Sequence, residues 1–351
     1  LVEEGKLKLT DTLDRFFPQI PNANKITVAQ MLGHRSGIAD ITRSGDFRSW
    51  KMMAKTKDEM LAIIAKGKPV FEPGEKSEYS NSGFVLLGYI VEKVGGKPYP
   101  IALKERIAAK IDLKDTYLGT GKTEVAKNES FSFNYINDWK QETETDLSIP
   151  GGAGAIISTP GDLVKFIQAL FDGKLVSPAS LNQMKPVGKD EFGLGIFQYP
   201  LDGKTFYGHG GGIDGFNALL IYQPEEKLAI AYSANGKGYA VNKIVSGVFE
   251  IYQNKPFQIP AFETVAVSPE ILDRYAGVYA SPEAPVKFTV SRDGAVLLIQ
   301  RNGQTPAIPL EATAEDKFKY ETAGIVLEFE SGKNQMTFKQ GAREIVFTRE
   351  Q

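Results

Sequence analysis

The sequence predicts an α+β fold followed by a small all-β barrel or sandwich. Two observations carry this. Residues 1–175 are dense in helix signals, whereas residues 192–233 break into short apolar runs separated by turns. After a proline-punctuated stretch, Lys255-Pro-Phe-Gln-Ile-Pro260, only strand-sized runs follow.

The helices are read from their ends. Thr56-Lys-Asp-Glu59 is a capping box, followed by Met60, Ile63 and Ile64 and closed by Gly67. Phe84, Leu87, Gly88, Val91 and Val94 repeat at helical spacing and stop at Gly95-Gly96. Thr159-Pro160 is a cap with proline at the first helical position. Leu163, Phe166, Ile167 and Leu170 follow, and Asp172-Gly173 ends the run. Leu1-Val-Glu-Glu-Gly-Lys-Leu7 reads as the end of an amphipathic helix capped by Gly5. A chain rarely starts inside a helix, so an upstream segment is expected.

The strand runs are Phe192–Tyr199, Thr205–Tyr207, Phe216–Tyr222 and Leu228–Ser233, with Pro224–Lys227 turning between the last two. A helix over about Tyr239–Tyr252 is expected to close this part. Beyond the linker, Ser291-Arg-Asp-Gly294, Arg301-Asn-Gly303 and Ser331-Gly-Lys-Asn334 are turn signals at the spacing of a small β barrel.

Composition narrows the chemistry. The 351 residues carry 41 Lys+Arg against 43 Asp+Glu, so no strong field favours nucleic acid or anionic lipid. No apolar run is long enough to cross a bilayer. There is no cysteine, which removes disulfides, thiolate metal sites and a cysteine nucleophile from this sequence. With only His34 and His209, a histidine-rich metal site is also excluded, and no metal or organic cofactor is expected.

Four segments could carry chemistry. Tyr79-Ser-Asn81 follows the turn Phe71-Glu-Pro-Gly74 and precedes a helix. A tyrosine there can act as a base if a cation stabilises its phenolate. The plainer reading is a loop tyrosine and an N-cap asparagine, which the triplet alone favours. In Tyr207-Gly-His-Gly-Gly-Gly212, glycines between two strand runs allow close approach of a ligand to the backbone. Gly210-x-Gly-x-x-Gly215 is not a dinucleotide fingerprint, because a strand follows it instead of a helix. It can also be a glycine-rich hairpin with an incidental histidine. Leu32-Gly-His-Arg-Ser-Gly-Ile38 reads as a buried histidine and a Ser-Gly turn rather than a catalytic pair. Pro150-Gly-Gly-Ala-Gly154 is a tight loop or a wall of a cleft.

The order of these segments resembles the β-lactamase/penicillin-binding-protein superfamily, in the branch of class C β-lactamases, D-aminopeptidases and family VIII-type esterases. Leu1–Leu13 with Asp11, Ile26-Thr-Val-Ala-Gln-Met-Leu-Gly-His-Arg-Ser-Gly37, Tyr79-x-Asn81, Gly151–Leu163 and His209-Gly-Gly211 fall in the family's sequence order. Residues 270–351, from Leu272-Asp-Arg-Tyr-Ala-Gly-Val-Tyr279, resemble the lipocalin-like β domain appended to such hydrolases. The resemblance implies an antiparallel sheet with flanking helices plus a helical subdomain, incomplete at its N-terminus, over 1–255, a linker over 256–269, and a barrel over 270–351. It implies an acyl-enzyme hydrolase of esters, D-amino-acid peptides or β-lactams. Tyr79, Asn81 and His209 would be catalytic, Gly210, Gly211, Gly212 and Gly152 would contact substrate, and the Gly212 N–H would be an oxyanion donor. It further implies a periplasmic or secreted location.

The family's Ser-x-x-Lys is not found: no serine of this chain has lysine three residues on. The chain alone is therefore expected to be inactive. The gap would be filled by its own N-terminal segment, a cleaved peptide or a swapped neighbour. The alternative is a non-catalytic pseudoenzyme or binding module that keeps the cleft.

Overall fold

The computed structural model describes all residues except 137, 187–191, 238–240, 258–264, 303–306 and 351. The chain forms two compact units, Leu1–Ser132 with Glu142–Asn235, and Phe133–Gln141 with Gly236–Gln351.

The first unit begins with Gly5 in left-handed geometry (φ +68°). Its N–H bonds to the Val2 carbonyl, and that of Lys6 to the Leu1 carbonyl. These are the two bonds of a Schellman cap at Gly5, and residues 2–5 form turns rather than the expected helix end. Five helices follow: α1 (Val28–Leu32), α2 (Phe47–Trp50), α3 (Lys57–Lys66), α4 (Asn81–Gly95) and α5 (Tyr99–Arg106). The Thr56/Glu59 capping box starts α3, and a second box, Thr27 with Gln30, starts α1. Gly96 (φ +67°) ends α4. Leu13, Ile26, Met31, Met60, Leu86 and Ile90 are fully buried between these helices and the N-terminal turns.

Strand β1 (Tyr117–Leu118) is followed in sequence by β2 (Phe133–Ile136) and β3 (Asp138–Gln141), a hairpin of the second unit. The chain then returns through β4 (Ile156–Ile157), antiparallel to β1, to α6 (Pro160–Phe171) and α7 (Pro178–Met184). Thr159 caps α6 through the Asp162 N–H, with Pro160 at the first helical position.

An antiparallel meander of β5 (Phe197–Leu201), β6 (Lys204–Ile213), β7 (Phe216–Gln223) and β8 (Leu228–Ala234) completes the unit. Ile167 and Leu170 of α6 pack against Leu220 and Tyr222 of this sheet. Strand β5 starts later than the run Phe192–Tyr199 suggests; Phe192 forms only a bridge to Phe197. Strand β6 is far longer than Thr205–Tyr207. The glycine run does not separate two strands; it lies inside one, because ladder bonds to β7 need only backbone. Gly208 is obligatory there, since a Cβ would lie 1.9 Å from the Leu220 carbonyl oxygen.

The second unit contains β9 (Gly236–Lys237), parallel to β2, and α8 (Val241–Tyr252) and α9 (Pro269–Tyr275). Residues 239 and 240 of the expected closing helix, 258–264 of the expected linker and Gly303 of one expected turn lie outside the described residues. The expected barrel is present as eight strands. They are β10 (Gly277–Ser281), β11 (Ala284–Asp293), β12 (Val296–Arg301), β13 (Ile308–Ala314), β14 (Lys317–Tyr320), β15 (Ile325–Glu330), β16 (Gln335–Gln340) and β17 (Arg343–Arg349). Each pairs antiparallel with the next, and β10 pairs with β17 to close the ring. Leu297, Phe318, Leu327, Met336 and Phe347 fill its core, joined by Leu272 and Tyr275 of α9. Alternating strands thus bury one face each, and closure leaves no free edge.

Candidate active site

Tyr79 lies in the extended segment that enters α4. Ser80, not Asn81, is the N-cap, and its side chain does not cap the helix. Asn81 is the first helical residue. Its Nδ2 donates to Asp40 Oδ2 at 3.0 Å, while Asp40 Oδ1 accepts from the Thr42 N–H at 2.9 Å. Asp40 therefore fixes which way the Asn81 amide faces.

His209 comes from the interior of β6. Its ring centroid is 6.3 Å from that of Tyr79 and 4.3 Å from that of Phe197. Phe197 also lies 6.2 Å from Tyr79 and 6.0 Å from His34. The fold thus brings together two predicted residues more than a hundred positions apart, on a shared aromatic floor.

The two histidines hold opposite tautomers. His209 Nδ1 contacts the Gly210 carbonyl, which can only accept, so Nδ1 carries the hydrogen and Nε2 a lone pair. His34 Nδ1 accepts the Ser80 N–H at 3.2 Å, so its hydrogen is on Nε2. Burial lowers both pKa values, that of His34 to about 4, with the nearby His209 adding to the effect and Asp40 opposing it. Tyr79 is raised by burial first and by Asp40 second. In this arrangement Tyr79 is a proton-holding phenol beside a neutral imidazole.

The glycines divide by role. Nothing lies within 4 Å of a Cβ built on Gly211, and Gly212 is equally open apart from Asn217 Oδ1 and the Phe216 carbonyl at 3.6 and 3.8 Å. Both are exposed on β6 beyond His209. A Cβ on Gly210 would lie 3.6 Å from Tyr199 Oη. Gly152 instead packs on α4: a Cβ there would lie 2.6 Å from the Phe84 carbonyl oxygen and 3.0 Å from Gly88 Cα. It abuts the helix that carries Asn81, and the Phe84 ring in turn lies 5.0 Å from His34. At the far end of the same hairpin, Asp214 pairs with Lys51 at 2.6 Å and accepts from the Thr145 N–H at 2.6 Å.

Asp40, Phe197 and Tyr199 also belong to this site and lie outside the four sequence segments. His34 is buried, as its sequence suggests, yet its ring lies tilted against that of Tyr79, with centroids 4.3 Å apart. The described residues contain no group of three or more His, Cys, Asp or Glu side chains able to hold a metal ion.

With this geometry in place, the family follows. The chain belongs to the Beta-lactamase family, which it matches over residues 1–246. It is 25% identical to penicillin-binding protein 4* of Bacillus subtilis over 98% of this chain and 82% of that protein. Among solved structures, D-amino acid amidase from Ochrobactrum anthropi SV3 is 30% identical, with a TM-score of 0.61, over 72% of this chain and 80% of the amidase chain. The octameric penicillin-binding protein homologue from Pyrococcus abyssi is 26% identical, with a TM-score of 0.60, over 99% and 84%. No helix among the described residues is long and apolar enough to cross a membrane.

Proposed function

We propose that this protein is a serine hydrolase that works through an acyl-enzyme on D-amino-acid amides and peptides or simple esters, with β-lactams as poorer substrates. The observation that carries the reading is the meeting of Tyr79 and His209 beside the open glycines of β6. The amidase and penicillin-binding relatives support the substrate class.

In this reading the serine adds to the acyl carbonyl, and the proton it loses reaches the leaving group through Tyr79. Burial and Asp40 hold Tyr79 protonated, so a cation is needed to lower it; the lysine of the family's Ser-x-x-Lys would supply one. Asn81 contacts the substrate amide, with its orientation set by Asp40. His209 offers the Nε2 lone pair as an acceptor. The Gly212 N–H is one oxyanion donor, and Gly210 and Gly211 line the approach, while Gly152 acts from behind by its packing on α4, the helix that carries Asn81. The relatives also support a periplasmic or secreted location, and the octameric homologue makes self-association worth measuring.

Residues 1–351 do not supply the serine–lysine pair, so the test uses the full gene product. Its intact mass is measured before and after a fluorophosphonate probe. Turnover is then compared on a D-amino-acid amide, a D-Ala-D-Ala peptide, p-nitrophenyl butyrate and nitrocefin. Labelling with fastest turnover of the first three is expected. Absence of both labelling and turnover would overturn the hydrolase reading and leave the binding module. Strong preference for nitrocefin would reverse the substrate order.

A further inference from the structure

The segment after α1 runs alongside the Tyr79 motif and is tied to it repeatedly. The His34 carbonyl accepts the Glu78 N–H at 2.9 Å, and His34 Nδ1 accepts the Ser80 N–H at 3.2 Å. Asp40 accepts from Asn81. The Ala39 carbonyl accepts from Ser82 Oγ at 2.7 Å, which itself accepts the Ile41 N–H at 3.0 Å. Residues 78, 80, 81 and 82 are thus held in turn, and the one between them, Tyr79, makes ring contacts.

His34 is the centre of this arrangement. It brackets Tyr79 by hydrogen bonds on both sides and lies against its ring, tilted by 34° at 4.3 Å. It does so at φ +54°, a strained region for most side chains. Its Nε2 is buried without a hydrogen-bond partner. A phenylalanine would fill the same aromatic pocket without burying that unsatisfied donor. What phenylalanine could not supply is the acceptor for the Ser80 N–H.

We propose that His34 is a positioning residue whose Nδ1 holds the backbone beside Tyr79 and so sets the direction of the Tyr79 phenol into the site. The importance of that direction rests on the hydrolase reading above; the hold itself does not.

The test reads Tyr79 directly. The protein is labelled with ¹³Cζ-tyrosine, and the Tyr79 signal is assigned from its loss in Tyr79→Phe. His34→Phe is expected to shift this signal and move its titration down towards the ordinary value of 10.0 as the ring gains solvent. Amide exchange at Ser80 should accelerate. His34→Asn is expected to restore both readouts, because asparagine tolerates positive φ and its Oδ1 can take the place of Nδ1. An unmoved Tyr79 in folded His34→Phe would overturn the proposal. If His34→Phe does not fold, His34→Asn decides: a native Tyr79 signal and slow Ser80 exchange support it, and a displaced signal or failure to fold overturns it. Turnover is not read, so a wild type without hydrolase activity would sink the function and leave this result standing. An unmoved Tyr79 would do the reverse.

Discussion

At the scale of single residues, the two histidines give separate handles on pH, one read in stability and one in turnover. His34 has a folded pKa of about 4 against 6.5 when free, so the unfolded chain binds its proton first. Its contribution is complete above pH 6.5 and is lost as pH falls from there through 4. The loss is on the order of 3 kcal/mol. Urea midpoints between pH 7.5 and 4.5 should therefore fall in the wild type and flatten on the acid side in His34→Asn. His209 is likewise depressed by burial, so its neutral form persists below the usual histidine range. If its lone pair is used in turnover, the acid limb of kcat/KM should lie below pH 6.5 and disappear in His209→Asn. Tyr79→Phe should lower kcat by about 10²- to 10⁴-fold, measured on the best substrate of the full gene product. Tyr79, Asn81 and His209 could be named as candidates because motif order survives in a linear string. Asp40 and Phe197 could not. Each matters through a partner that only the fold delivers: Asp40 through Asn81, and Phe197 through His209 and Tyr79.

Elements repeat this division between local and distant causes. The caps at Thr56, Thr159 and Gly96 were visible because each acts within a few residues of itself. Thr56→Ala should cost about 1 kcal/mol in thermal or chemical unfolding. The length of β6 was hidden, because glycines signal a break locally while the ladder to β7 decides globally. Gly152→Ala tests a similar long-range demand. The new methyl meets backbone of α4, not a flexible side chain, so about 1–3 kcal/mol should be lost. The tip of the β6–β7 hairpin is anchored by Asp214, which is almost fully buried beside Lys51. Lys51→Met removes the ammonium 2.6 Å from that carboxylate and should cost about 2–4 kcal/mol by the same measurement.

For the whole molecule, the change from helical to strand periodicity near residue 190 announced the order of the parts, and turn spacing announced the barrel. The grouping of Phe133–Gln141 with the C-terminal unit was not visible. Strands of two to four residues carry little periodicity, and β2 finds its parallel partner β9 about a hundred residues later. The barrel's core is packed with aromatic side chains: Phe318 and Phe347 are each 1% exposed, and Phe288 stacks on Phe338 at 5.2 Å. Phe318→Ala should therefore remove about 3–5 kcal/mol from the barrel's unfolding transition. The β10–β17 seam has one more consequence. Tyr279 faces Arg349, and the Glu350 N–H reaches the Val278 carbonyl, so the chain enters and leaves the barrel at neighbouring points on one rim. A module with adjoining entrance and exit behaves as a cassette. It can be spliced onto a host, removed, or reconnected end to end with a short bridge and opened at another turn, without rerouting a single strand.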